Sequence, residues 1–148
     1  MGIEQKTIDA AQKYAGFDED ALLVVLGKQD IAIDADSSLI VDPTLNPNYD
    51  SQIMGPLDEL KFAGRRIVKR WNLELYKLVC GSGDNKEREQ LIDALNIGEA
   101  AAIAAVVKIL LLITSPAVAA PLSVVLVKFF LLPAKEELCA AWGEEVNI

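Results

Sequence analysis

Six basic side chains are concentrated on one short stretch of the sequence. Lys61, Arg65 and Lys69 recur at every fourth residue, Arg66 and Arg70 repeat that spacing one position on, and Lys77 extends the group. On a helix of about 3.6 residues per turn such spacing gathers the charges on one side. The chemistry open to them is recognition of anions: carboxylates of an acidic protein, lipid headgroups or nucleic-acid phosphates. Phe62 and Tyr76 lie close enough in sequence to add aromatic contact.

Few other residues could do chemistry. The chain has no histidine, which removes the commonest general base and metal ligand and the Ser-His and Cys-His nucleophile pairs. Lys108 and Lys128 stand alone on apolar segments, where a buried amine could become a nucleophile; reaching water or pairing with Glu99, Glu136 or Glu137 is the favoured reading. Cys80 and Cys139 form no C-x-x-C pair and read as free buried thiols in a reducing cytoplasm. Asp34-x-Asp36-x-Ser38 imitates the start of a calcium loop, but Leu39 stands where glycine is needed and Leu45 where the closing glutamate would be. No metal, cofactor or catalytic residue is therefore expected.

The 148 residues suffice for a single domain, 1–148, with its own core. Apolar residues make up 52% and aromatics only 6%; small aliphatic side chains dominate, which suits close-packed helices. The net charge is −8 and is unevenly spread: residues 61–77 carry six bases and one acid, whereas residues 1–60 carry three bases and twelve acids. Nucleic acid is not an expected partner for so acidic a chain. The polar start MGIEQKTIDAAQKY lacks the apolar run of a secretory signal, and Lys6 stands where myristoylation favours Ser or Thr.

The expected fold is all-α: a compact bundle of about six or seven helices around a central apolar hairpin, 98–132. A short amphipathic helix over 3–15 precedes a second, capped by Asp18 and stopped at Gly27. Residues 28–55 hold five Asp, two Pro and three Ser, and read as one long, partly ordered loop with room for a short β-ribbon across 36–38. Pro56 is placed at the first position of an amphipathic helix, 56–80. Asp84 then caps a short helix after the Gly81-Ser82-Gly83 connection, with Glu87 in capping-box position.

Residues 98–132 include only three charged side chains, Glu99, Lys108 and Lys128, and 109–127 include none. Nineteen uncharged residues approach the length of a membrane span. Pro116 and Pro121, with Thr114 and Ser115, are read as a turn that divides the stretch into helices too short to span. A third helix over 133–143 carries Trp142.

The expected function is a non-enzymatic, cytoplasmic protein–protein interaction (adaptor or regulatory) module. Its docking surface would be the basic face, the acidic loop or the C-terminal helix ending at Trp142, with homo-oligomerisation left open. The alternative is a membrane-active protein whose hairpin 98–132 inserts to form a pore or an anchor, with the basic face on anionic lipid.

Overall fold

The computed structural model describes residues 2–81 and 85–146, with the side chains of Glu145 and Val146 excepted. Over these residues the chain is all-helical. Eight α-helices are present among them: α1 (Ile3–Tyr14), α2 (Glu19–Ala35), α3 (Ser51–Met54), α4 (Leu57–Cys80), α5 (Lys86–Ile97), α6 (Glu99–Leu110), α7 (Pro116–Leu126) and α8 (Leu138–Val146). Helix α7 packs on α1, α2 and α6; α5 packs on α6, and α8 on α4. Asp84 and the Ser82-Gly83 step lie outside the described residues. The cap of α5 is Asn85, whose side chain accepts from the Arg88 amide at 3.0 Å.

The expected β-ribbon in 28–55 is absent: the described residues hold no strand. Helix α2 runs on through Gly27 to Ala35, a 3-10 turn follows over Ser37–Val41, and α3 occupies Ser51–Met54. Gly27 marks a crossing, not a stop. A Cβ there would lie 2.3 Å from the Leu60 carbonyl oxygen of α4, and a Cβ on Gly64 would lie 2.2 Å from the Leu23 carbonyl oxygen of α2. Each helix thus presents a glycine to a carbonyl of the other, four residues before the partner glycine. The bare Cα hydrogens let the two backbones approach to a distance no other residue permits. That contact outweighs the roughly 1 kcal/mol that a glycine costs inside a helix. Within Asp34-x-Asp36-x-Ser38, Asp36 is a turn cap: it accepts from the Ser38 amide at 3.1 Å and hydroxyl at 2.7 Å, bonds that hold its carboxyl below the usual range.

The apolar stretch is core. Nine of the eleven residues of α7 are buried, as are Ala102, Ile103, Val106, Val107, Ile109 and Leu110 of α6. Each fully buried Leu, Ile or Val contributes about 1.5–3 kcal/mol through removal from water. Ser115 is the N-cap and Pro116 the first residue of α7, although the Ser115 side chain makes no cap bond. Pro121, expected in a turn, is instead inside the helix. Without an N–H it cannot bond the Ala117 carbonyl one turn earlier. Gln29 of α2 supplies that bond from outside: its Nε2 donates to Ala117 O at 2.8 Å and to Leu45 O at 2.7 Å. Gln29 is 1% exposed; its Nε2 mends the helix that proline opened, while its Oε1 is buried without a hydrogen-bond partner among the described residues. The Tyr14 hydroxyl also donates to Leu45 O, at 3.3 Å. Burial, and then the charge of Asp42, push the Tyr14 phenol up to about 12.

After Leu126 the helix widens into a π segment, Val127–Leu131, in which the Leu132 amide bonds back to Val127 O at 2.8 Å. The chain then turns through a 3-10 segment, Lys135–Glu137, into α8. The free-thiol expectation is overturned here: Cys80 and Cys139 form a disulfide between the end of α4 and the second residue of α8. The cysteines are 59 positions apart, so no local spacing could reveal the pair; packing of α8 on α4 brings them together. Trp142 anchors the same contact. It is fully buried, donates from Nε1 to Asn72 Oδ1 at 2.7 Å, and meets the Tyr76 ring edge-on at 5.2 Å.

No single helix among the described residues is long and apolar enough to cross a membrane. The segments Pro116–Leu131 and Lys135–Glu144 reach that length and composition only as a pair, bent by 81°.

Candidate functional site

Helix α4 shows two faces because its apolar residues keep the helical period. Leu60, Gly64, Val68, Asn72, Leu75 and Val79 are buried, and the basic side chains fall on the other side. Its C-terminal carbonyls are satisfied by the start of α5: Asn85 Nδ2 donates to Leu78 O at 2.6 Å and Arg88 Nε to Val79 O at 3.0 Å. The helix is thereby a fixed rod for the charges it carries. Pro56, expected as its first residue, is the N-cap.

The six predicted basic residues are not equivalent. Lys61 is drawn inward, 3.7 Å from Asp20 of α2 and 4.0 Å from Asp58. Lys77 lies 3.9 Å from Glu74 on its own helix. Such exposed pairs contribute about 0–1 kcal/mol. Arg66 sits over Phe62, 5.3 Å from the ring centroid, and Arg70 over Trp71 at 4.6 Å. Arg65 and Lys69 are exposed and make no ion pair or ring contact among the described residues.

Arg66 and Arg70 also line an open groove of about 450 Å³. One wall is α4, with Ala63, Ile67 and Trp71; the other is α2, with Leu26, Asp30 and Ile33. Ile40 of the 3-10 turn and Thr114, Ser115 and Val118 at the start of α7 complete it. The Asp30 carboxyl is raised above its usual range by desolvation at this wall and then by Asp34, while Arg66 acts in the opposite direction. A planar guanidinium is always charged and offers two parallel donors to a carboxylate. The ring beneath each arginine limits its motion, so the pair is partly preorganised.

Sequence reasoning found the arginines and missed the groove. The missing wall is the part of α2 beyond Gly27. The signal was present: Leu22, Leu26, Gln29 and Ile33 keep the helical spacing straight through the glycine.

The two core lysines go elsewhere, and neither reaches Glu99, Glu136 or Glu137. Lys108 is on the surface, 4.0 Å from Glu4 near the start of α1. Lys128 is half-buried and donates from Nζ to the Ala15 carbonyl at the end of α1. A cation at a helix C-terminus meets the open carbonyls and the negative end of the dipole, so the two lysines grip α1 near its two ends. Pro116 and Pro121 shape α7; Pro121 is buried and Pro116 half-buried. Among the described residues no three His, Cys, Asp or Glu side chains converge as metal ligands do. Comparison with models of protein families, with curated proteins and with solved structures yields no match.

Proposed function

We propose that this protein is a small, non-enzymatic interaction module, a helical bundle built around the apolar pair α6–α7, that binds an acidic region of another protein through the outer face of α4. The observation that carries this reading is the pair Arg65 and Lys69, exposed and without counter-charges beside Arg66 and Arg70. A chain of net charge −8 with twelve acids in its first sixty residues has ample means to neutralise such a face, yet among the described residues only Lys61 and Lys77 are drawn into ion pairs there. The same overall charge disfavours nucleic acid. The disulfide supports an oxidising working environment in place of the reducing cytoplasm expected from free thiols.

Membrane insertion of 98–132 is the second reading. By length and composition the candidate span is the bent pair Pro116–Leu131 with Lys135–Glu144, which shares only α7 and its π segment with the 98–132 hairpin. Against it stands the cost of exposing α7, which is almost wholly buried.

The test is affinity capture from the source cells, run in parallel with wild-type protein and with Arg65→Glu, Arg66→Glu, Lys69→Glu and Arg70→Glu combined. The partners retained by the wild type are expected to be lost. An unchanged set would exclude the α4 face as the docking surface.

A further inference from the structure

We infer that the groove between α2 and α4 receives an extended peptide segment of the form acidic–apolar–acidic. This rests on the docking reading above and deepens it by naming where on the face the partner's chain lies and which side chains it must carry.

The spacing of the groove's donors sets the form of the ligand. Arg66 and Arg70 are four residues apart on α4, an axial rise of about 6 Å at 1.5 Å per residue. In an extended chain, side chains two residues apart point the same way and are separated by about 6.7 Å. Two carboxylates in an acid–x–acid segment therefore match the spacing of the two arginine Cα atoms and lie within reach of both long side chains. Each arginine can make a charge-assisted, two-pronged contact.

The opposite wall decides the middle residue. In an extended chain that residue points away from the arginines, toward α2 and the 3-10 turn, where Ile33 and Ile40 line the groove. An acid there would meet Asp30, already crowded by Asp34. An apolar side chain would cover Ile33 and Ile40. At about 450 Å³ the groove takes a few side chains and not a folded domain. Its concave walls also place the arginines beside a cleft, which a peptide chain enters more readily than a flat bilayer does.

The probe is an acetylated, amidated pentapeptide Gly-Glu-Leu-Glu-Gly, compared with Gly-Glu-Glu-Leu-Gly of equal charge, by amide and arginine side-chain chemical-shift mapping on the full chain. Shifts are expected at Asp30, Ile33, Arg66 and Arg70 with the first peptide, and binding at least about tenfold weaker with the second, the loss of one well-formed charged contact. Arg66→Gln with Arg70→Gln should abolish the shifts, while Arg65→Gln with Lys69→Gln should weaken binding by less and keep the shifts at Asp30 and Ile33, because those residues flank the groove and do not line it. All four positions are exposed, and an unchanged thermal melt establishes that the variants are folded.

Equal binding of the two peptides, or equal loss from both pairs of substitutions, would overturn the groove while leaving the docking face in place. No shift anywhere along α4 with either peptide, joined to an unchanged partner set in the capture experiment, would remove both. Binding to phosphatidylserine vesicles that depends on Arg66 and Arg70, with none to the peptides, would overturn the peptide assignment in favour of lipid.

Discussion

Against α2, helix α4 is held through bare backbone; against α8 it is held through side chains and a covalent bond. The first contact depends on atoms that are missing. Gly27 and Gly64 each leave room for a carbonyl of the partner helix, and a single added methyl would collide with it. The second depends on atoms that are present: the Cys80–Cys139 bond, the Trp142–Asn72 hydrogen bond and the Tyr76–Trp142 ring contact. Enlargement breaks one contact and deletion breaks the other. The exposed face with its arginines is steady because the helix is fixed on both of these sides.

The largest expected effect is on the α8 side. Replacing Cys80→Ser and Cys139→Ser together should lower unfolding stability by about 4 kcal/mol, the chain-entropy value for a link across 59 positions. Urea unfolding of the wild type and the double variant measures it; a loss below about 1 kcal/mol would mean that Trp142 and Asn72 hold α8 without the bond. On the α2 side, Gly64→Ala should cost about 3 kcal/mol, since the new Cβ meets backbone and not a movable side chain. The sign makes this a sharp measurement, because helix propensity alone predicts a gain of about 1 kcal/mol. A stabilised variant would show that the crossing tolerates a wider spacing. A smaller effect separates the two components of the α8 anchor. Trp142→Phe keeps most of the ring but leaves Asn72 Oδ1 without its donor, at a cost of about 2 kcal/mol. Adding Asn72→Leu should recover part of that loss, and a double-mutant cycle reads the coupling directly.

What could be read from the sequence follows the reach of each signal. The period of α4, the acids after Pro56 and the fourfold spacing of its bases are local, and all of them locate a helix with one charged side. The apolar run 98–132 declared two helices for the same reason. Gly27 was misread because a glycine inside a helix signals the same thing whether it ends the helix or faces another; only its neighbour, Leu60 of a later helix, distinguishes the two. Pro121 failed likewise: the hydrogen bond that mends α7 comes from Gln29, 88 positions from the carbonyl it reaches. The disulfide and the groove are long-range by construction, the first joining two helices and the second α2, the 3-10 turn, α4 and the start of α7. The site's charges were legible, therefore, and its shape was not.

The bond between Cys80 and Cys139 has a topological consequence. It closes the backbone into a ring that includes α5, α6 and α7, while α1 and α2 stay on an open tail that, apart from its chain connection through α4, is held by packing, hydrogen bonds and the Lys108–Glu4 ion pair. A peptide bond cut inside the ring leaves a single covalent molecule, each piece of the ring still tethered at one end. A cut between α2 and α4 instead divides the chain into two separate molecules, one of which carries Gln29, Gly27 and the wall of the groove. The molecule is thus covalently fault-tolerant on the side of its apolar core and severable on the side that completes its binding surface.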